Sequence, residues 1–303
     1  MIDLAVDAGE LAEVVSAALG RRCRLTPLGV KCTYPVFRGE ADGGEPVFVK
    51  VGTKEERART RDLLRIVGDC GLFSRFITEQ PVDYGDFAVF VMEWKPSRIV
   101  FPEDMSPRQI ESFVAGCVKL GETLQRREVR VLVNGVAASD SPEGLYNELL
   151  RYVGRHPIVG RLLKDLVSIP AAERTFGNRP RSVCHGDFHA KNFGFDGDSF
   201  ASVFDFDKLT EGLACGDLAN ALVERFSCLH LSRATRRRLK DVTRRIVALA
   251  PWPREEFAVA CNVIRLQFAA RRIRKHPNAP WVAFDVWRRD RKIREFLSCL
   301  EVG

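Results

Sequence analysis

The stretch Val183–Asp207 reads VCHGDFHAKNFGFDGDSFASVFDFD, and its order of apolar and acidic residues decides the predicted fold. An apolar approach leads to a His-Gly-Asp sequence that ends at Asp187, and a second apolar run leads to Asp205. Between these two runs, Gly197 stands among aspartates, which is typical of a hairpin turn. We therefore predict two short strands that hold Asp187, Asn192 and Asp205 near one another.

These three side chains have the chemistry that phosphoryl transfer requires. A carboxylate beside a hydroxyl aligns it and takes its proton, while the rest of the protein positions groups and neutralises charge. Mg²⁺ prefers hard oxygen ligands and keeps several waters, so one amide and one carboxylate suffice beside phosphate oxygens. The four residues between Asp187 and Asn192 match the D-x-x-x-x-N of the kinase catalytic loop, and Asp205 takes the place of the D-F-G aspartate.

An acid-rich surface hairpin would explain one His-Gly-Asp sequence, but it does not explain the whole set. The sequences HGDFHAKN, VFDFD and GDLA together resemble the aminoglycoside phosphotransferase / choline kinase family. This resemblance implies a protein-kinase-like fold and ATP-dependent phosphorylation of small-molecule hydroxyls. It implies that Asp187 is the catalytic base, that Asn192 and Asp205 are magnesium ligands, and that Asp217 is a buried brace of the catalytic loop.

The length of 303 residues exceeds that of a usual single domain, and 46% hydrophobic residues can supply a sizeable core. We predict an α+β, two-lobed protein-kinase-like fold. Residues 1–94 form a small lobe with an antiparallel sheet and one main helix, which binds the nucleotide. Residues 95–303 form a larger, mostly helical lobe that carries the catalytic hairpin 183–207.

Lys50 is the predicted ligand of the nucleotide phosphates, because it lies near the end of a compact strand pattern ahead of a charged helix. Within that helix, Glu56 is the predicted partner of Lys50, with Glu55 as its rival. The backbone of residues 29–33 stands where the family has a phosphate-covering loop, since backbone N–H groups bind phosphate without particular side chains.

The sequence FVMEW, residues 90–94, resembles the hinge that joins the two lobes of a kinase. In that register, Met92 lies at the back of the adenine pocket. The carbonyl of Glu93 and the N–H of Lys95 face the adenine edge. ATP is the expected donor. GTP stays an alternative, because backbone contacts leave no side-chain signature that would distinguish the two nucleotides.

Three further residues of the stretch 183–207 have predicted roles. His185 is predicted to shape the loop rather than to react. His189 is a candidate for contact with substrate or phosphate, and Asp207 is a candidate ligand for a second magnesium ion.

The helical segments that follow the helix near Ser106 help to distinguish three hypotheses about the function. Roughly sixty residues with further helical patterns lie between the helix that starts near Ser106 and the hairpin. Small-molecule kinases insert helices there, whereas protein and lipopolysaccharide kinases go almost directly to the catalytic loop. A small hydroxylated acceptor is therefore expected. The alternatives are a protein or lipopolysaccharide-type kinase and a catalytically silent nucleotide-binding module.

The formal net charge of +7 is modest and typical of a soluble protein. The arginine clusters alternate with apolar residues at helical spacing, so we interpret them as solvated helix faces and expect no nucleic-acid partner; these clusters are at 236–238, 271–275 and 288–294. The nine cysteines are an odd number without a C-x-x-C pair, and the N-terminus lacks a basic-then-apolar pattern. We therefore expect reduced thiols in the cytoplasm, and no apolar run approaches the ~20 residues of a membrane span.

Overall fold

The structure is a computed structural model of the chain. It describes residues 6–28, 35–133, 141–171, 175–176, 178–206 and 208–298, with the exception of the side chains of 56–59, 133 and 158–159. The chain forms two compact units. The first extends to Arg98 and also contains Ala201–Asp207, and the second comprises Ile99–Phe200 and the chain from Lys208 onward. The predicted lobe boundary at residue 94 lies just before the end of the first unit's main segment.

The first unit is built on an antiparallel sheet with the strand order β1-β2-β3-β5-β4. The strands are β1 (Cys23–Pro27), β2 (Val36–Ala41), β3 (Val47–Thr53), β4 (Val82–Tyr84) and β5 (Phe87–Glu93). Successive side chains of a strand point to opposite faces, so Val47, Val49 and Val51 enter the core together and are fully buried. Lys50 lies between two of these valines, and its side chain therefore points to the opposite face.

Two helices flank this sheet. Helix α1 (Ala8–Leu19) begins after Asp7, whose carboxylate accepts a hydrogen bond from the backbone N–H of Gly9 at 2.7 Å. Its residues Leu11 and Val15 belong to the same buried cluster as the valines of β3. Helix α2 (Lys54–Val67) follows β3 directly and contacts β3 and β5.

The second unit is mostly helical. Its helices are α3 (Pro107–Leu124), α4 (Arg127–Val133), α5 (Pro142–Arg155), α6 (Pro157–Gly160), α7 (Lys164–Val167), α8 (Gly216–Ser227), α9 (Arg233–Leu249), α10 (Arg254–Lys275) and α11 (Trp281–Leu297). Helix α10 is central, because it contacts α5, α8 and α11. Leu149, Leu266, Ile273 and Val286 are among the buried residues of the core that these helices share. Among the helices of the described ranges, none has the length and apolar character needed to cross a membrane.

Four short strands frame the stretch that carries the predicted site. Strand β6 (Ser182–Cys184) pairs antiparallel with β9 (Thr210–Gly212), and β7 (Phe193–Asp196) pairs with β8 (Ser199–Val203). Gly197 lies between β7 and β8 with a left-handed φ of 57°, so the predicted hairpin and its turn are confirmed. The small antiparallel sheet and the larger helical unit likewise confirm the predicted α+β class.

Candidate active site

The loop after β6 carries Asp187, and a buried carboxylate fixes it from behind. Asp217, near the start of α8, accepts hydrogen bonds from the backbone N–H of His185 at 2.9 Å and of Gly186 at 3.3 Å. This is the bracing role that the family resemblance implies for Asp217. The fully buried His185 accepts a hydrogen bond on Nδ1 from the backbone N–H of Asp187 at 3.3 Å, which agrees with its predicted loop-shaping role.

The environment of Asp217 is strongly desolvating. Burial raises the pKa of Asp217 from its usual 3.8 to about 6, and the two backbone N–H donors oppose this rise because they stabilise the carboxylate. Burial also raises the pKa values of the Cys117 and Cys184 thiols well above their usual value, and the charge of Asp217 adds to both shifts. These thiols are therefore neutral neighbours of the brace.

Gly186 allows the loop to pass against the segment that precedes β9. Its φ of 78° lies in the left-handed region, where a Cβ is unfavourable. A Cβ at this position would lie 1.9 Å from the carbonyl oxygen of Lys208, far inside van der Waals contact. The close approach of the two backbones therefore depends on glycine, and it brings Lys208 beside Asp187.

Three cationic or proton-bearing groups surround the Asp187 carboxylate. The Nζ of Lys208 lies 2.6 Å from Oδ2, and Nη1 of Arg271 lies 3.8 Å from Oδ1. The Nε2 of His189 lies 3.9 Å from Oδ2, and it carries the ring proton because Nδ1 accepts from the backbone N–H of Lys191. The Asp187 side chain is 18% exposed, so an acceptor in solvent can reach it. Since Lys208 occupies Oδ2, Oδ1 is the oxygen better placed to accept a proton.

Asn192 is held against the same loop. Its Nδ2 donates to the backbone carbonyl of Asp187 at 2.8 Å, and its backbone N–H donates to the carbonyl of His189 at 2.8 Å. Because the amide nitrogen is used in this way, the side-chain carbonyl oxygen is the atom that can face a cation. That hard oxygen fits Mg²⁺ chemistry. Within the described ranges, no group of three or more His, Cys, Asp and Glu residues is arranged to hold a metal ion by itself.

Lys50 and Asp205 meet within the first unit. The Nζ of Lys50 lies 2.8 Å from Oδ1 of Asp205, whose carboxylate is 46% exposed. Asp205 has a φ of 62°, a left-handed conformation that costs an ordinary residue about 1–2 kcal/mol. Two contacts hold the chain on either side of Asp205. Phe206 packs edge-on against Phe73, with ring centroids 4.5 Å apart, and the N–H of Val203 donates to the carbonyl of Leu72.

Asp205 offers hard carboxylate oxygens, which also fit a magnesium ligand. It belongs to the first unit and Asn192 to the second, so each predicted ligand is defined within its own unit. Their joint action on one metal ion stays a prediction.

The predicted hinge residues lie at the end of β5. Met92 is buried and forms a β-bridge with Phe76. The N–H of Glu93 donates to the carbonyl of Arg75 at 2.8 Å, and their side chains form an ion pair at 3.3 Å. The Nζ of Lys95 donates to the carbonyl of Gly71. The bonds of the Glu93 carbonyl and the Lys95 N–H to adenine stay predictions.

Several predicted residues lie outside the described part of the chain. The phosphate-covering backbone of 29–33 and Asp207 are among them, and so is the side chain of Glu56, although its backbone belongs to α2. The rival Glu55 is exposed. The pairing of Lys50 with a helix glutamate therefore stays a prediction beside its observed contact with Asp205.

Sequence reasoning missed the two cations on Asp187. Lys208 directly follows the VFDFD sequence, and this closeness to the motif could have indicated that it belongs to the site. Arg271 was interpreted as part of a solvated arginine face, and its side chain is indeed 52% exposed. That interpretation did not include its position 3.8 Å from Asp187 or its hydrogen bond to the carbonyl of Gly186 at 3.3 Å. Arg271 lies 84 positions after Asp187, so only the packing of α10 reveals the contact.

Comparison with solved structures identifies the fold. The chain resembles spectinomycin phosphotransferase APH(9)-Ia in complex with ADP and spectinomycin, with a TM-score of 0.63, 10% identity and 98% coverage of both chains. It resembles ADP-bound aminoglycoside phosphotransferase APH(2'')-Ib with a TM-score of 0.62 and 14% identity, over 96% of this chain and 99% of that one. The amicoumacin kinase hAmiN, in complex with AMP-PNP, Ca²⁺ and Ami, matches with a TM-score of 0.59 and 13% identity, over 90% of this chain and 88% of that one. The predicted kinase-like fold is thus confirmed.

Comparison by sequence identifies the family. No curated protein matches the chain. The profile of the phosphotransferase enzyme family, APH, matches residues 35–260, which include β2 to β9 and both segments that carry Asp187 and Asp205. Because this match spans most of the chain, the protein belongs to the phosphotransferase enzyme family.

Proposed function

We propose that the protein is an ATP- and magnesium-dependent phosphotransferase that transfers the γ-phosphate to a hydroxyl group of a small molecule. The observation that carries this proposal is the braced loop: Asp217 holds the backbone at His185 and Gly186, and the loop carries Asp187, whose side chain is 18% exposed. A silent nucleotide-binding module has no use for a positioned carboxylate of this kind. Two of the similar structures, an amicoumacin kinase and a spectinomycin phosphotransferase, are named after a small molecule, which further supports a small acceptor.

Asp187 is the proposed catalytic base. A bond forms between the acceptor oxygen and the γ-phosphorus, while the bond from this phosphorus to the bridging oxygen of the nucleotide breaks and leaves ADP. The acceptor proton passes to Asp187, for which Oδ1 is the better placed oxygen because Lys208 contacts Oδ2 at 2.6 Å. Asp187 also orients the hydroxyl, which is the main contribution a protein makes to a loose transition state.

The nucleotide is held by the remaining residues. Lys50 binds the α- and β-phosphates and Glu56 orients Lys50, whereas Met92, Glu93 and Lys95 border the adenine. Asn192 and Asp205 hold Mg²⁺, which neutralises charge on the phosphate oxygens when it is bound. Mg²⁺ at Asp205 would compete with Lys50 for the same carboxylate, so nucleotide binding is expected to replace their 2.8 Å contact.

Acceptor-dependent release of ADP tests this function. A panel of sugars, amino alcohols and antibiotics is incubated with ATP, Mg²⁺ and the protein. The variant Asp187→Asn should lower kcat about 10²–10⁴-fold, because it cannot take the proton, whereas its affinity for ATP should stay near that of the wild type.

The variant Asp196→Asn is the matched control, since it makes the same chemical change at an exposed position at the end of β7. Full activity of Asp187→Asn would refute the assignment. Phosphate transfer to purified protein, with none to the small molecules, would favour a protein kinase, and nucleotide binding without turnover would favour a silent module.

A further inference from the structure

Lys208 and Arg271 form a positively charged edge beside Asp187, which we call the basic rim. Their side chains are 55% and 52% exposed, whereas the Asp187 side chain is only 18% exposed. The positive groups of this site therefore face solvent more than its carboxylate does. An arriving acceptor meets two cations around one recessed carboxylate.

Neighbouring carboxylates do not neutralise the positive charge of the basic rim. Among the described residues, the carboxylate in contact with both Lys208 and Arg271 is that of Asp187. Asp217 is buried behind the loop and is engaged by two backbone N–H groups. Glu211 is engaged by Arg181 at 2.9 Å. The exposed edge of the site thus keeps an excess of positive charge.

Arg271 is the member of the rim with donors to spare. Its Nη1 is 3.8 Å from Asp187, beyond hydrogen-bonding distance, and its Nη2 donates to the Gly186 carbonyl at 3.3 Å. A guanidinium has five N–H donors in a planar fork, which matches carboxylate and phosphate groups. Lys208, by contrast, is committed to Asp187 at 2.6 Å.

A recess lies between the loop and α10. It is bordered by Gly186, by the amides of Asn220 and Gln267, and by two carboxyl groups that already have partners: Asp217 accepts from two backbone N–H groups and Glu211 pairs with Arg181. Gln267 lies four residues before Arg271 on α10, so the two side chains share one helix face.

We propose that the acceptor is an anionic small molecule, a hydroxy compound whose carboxylate or phosphate group pairs with Arg271 while one hydroxyl lies at Asp187. This proposal rests on the proposed phosphotransferase function and names its substrate class. Cationic amines are disfavoured as acceptors because like charges repel at the basic rim.

The test compares acceptors of matched skeleton and different charge. Glucuronate, glucose and glucosamine form one set, and glycerate, glycerol and glycerol phosphate form another that separates carboxylate from phosphate. ADP release is measured with each compound. Binding of each compound is measured separately, by calorimetry with the protein loaded with Mg²⁺ and AMP-PNP. Anionic compounds should bind and react best, and their advantage should shrink as salt is raised.

The variant Arg271→Gln identifies the residue responsible. It should raise KM and the dissociation constant for the anionic compounds about tenfold to a hundredfold and leave KM for ATP unchanged. Lys275→Gln is the matched control, because it removes one positive charge from an exposed position one turn further along α10. It should behave as the wild type does.

Several outcomes would overturn the inference without touching the proposed function: better turnover of glucosamine or neutral compounds, or a rise in KM for ATP alone in Arg271→Gln. Absence of ADP release with every compound would instead count against the phosphotransferase function. In that case the binding measurement decides the inference, and it fails if no anionic compound binds or if Arg271→Gln binds them equally well.

Discussion

At the scale of single residues, Gly186 is the glycine, among those that the structure describes, where an added Cβ would lie nearest to another atom. The variant Gly186→Ala would place its Cβ 1.9 Å from the carbonyl oxygen of Lys208, a backbone atom that cannot rotate away. The loop must then move, and both Asp187 and its contact with Lys208 move with it. We expect loss of nearly all phosphotransferase activity and a lower midpoint of urea unfolding.

Gly197→Ala is the control for this prediction. Gly197 also has a left-handed φ, of 57°, but a Cβ there would meet nothing within 4 Å. It should therefore cost only the conformational penalty of about 1–2 kcal/mol in the free energy of unfolding and leave kcat unchanged. Equal effects of the two substitutions would show that the close approach at Gly186 is unimportant.

The site residues that lie at a fixed spacing in one motif were predictable, whereas a basic residue contributed by a distant helix was not. Asp187, Asn192 and Asp217 lie in one dense stretch, residues 183–219, and their selection as site residues follows from that stretch and from the family it resembles. Arg271 reaches Asp187 because α10 packs at the centre of the second unit. An arginine with this contact has the same local sequence as one on a solvated helix face, so periodicity cannot separate them.

At the scale of elements, helix α3 holds the tip of the β7–β8 hairpin through its first turn. Ser106 caps α3 and donates to Asp198 at 2.9 Å. Gln109 completes the capping box, since its Oε1 accepts from the Ser106 N–H at 2.9 Å, and its Nε2 donates to the carbonyl of Gly197 at 2.8 Å. One buried side chain thus joins helix and hairpin.

The variant Gln109→Glu separates these two contacts. A carboxylate can still accept from the Ser106 N–H, but it has no donor for the Gly197 carbonyl and would face that oxygen in a buried site. We expect the free energy of unfolding to fall by about 1–3 kcal/mol, measured by urea titration.

Glu111→Gln provides the comparison, because Glu111 is exposed on the same helix. Its effect should stay within about 0.5 kcal/mol. Unchanged stability of Gln109→Glu would mean that the hairpin tip does not depend on α3.

The sequence predicted α3 and the hairpin separately, but not the bond between them. Ser106 and Pro107 mark the start of the helix, and Gly197 marks the turn. The donor of Gln109 carries no such mark, because a glutamine in a capping box needs only its oxygen for that motif. The contact with Gly197 depends on how helix and hairpin pack, which periodicity does not encode.

At the scale of the whole molecule, Asp217 links global stability to pH. Its pKa of about 6 in the folded protein exceeds the usual 3.8. Between these two pH values the folded state therefore holds more protons than the unfolded state, and the stability contributed by this group falls as pH rises from about 4 to 6. A difference of about two pKa units corresponds to about 3 kcal/mol.

The variant Asp217→Asn should remove this dependence. The free energy of unfolding of the wild type, minus that of the variant, should fall by up to about 3 kcal/mol from pH 4 to pH 7. Urea unfolding at pH 4.5, 5.5 and 7 measures it, with fluorescence and circular dichroism as two probes of a single transition. A difference that is constant with pH would contradict the buried titration of Asp217.

The fold class was predictable from the family resemblance, and the strand pattern of β3 and the long helical pattern of α10 agree with it. The division of the chain was harder to predict. The segment Ala201–Asp207, which begins within β8, belongs to the first unit, through contacts such as that of Phe206 with Phe73. Such a return leaves no boundary signal, since linker composition marks only the place where the chain passes between units.

This return has a practical consequence for dissecting the protein. A fragment that stops at Arg98 would lack Phe206, whose ring packs on Phe73, and Asp205, the carboxylate that Lys50 contacts. The sheet-bearing unit is therefore not a continuous piece of the gene. Its excision would need a grafted copy of the 201–207 segment, for example through a circularly permuted chain, rather than a stop codon.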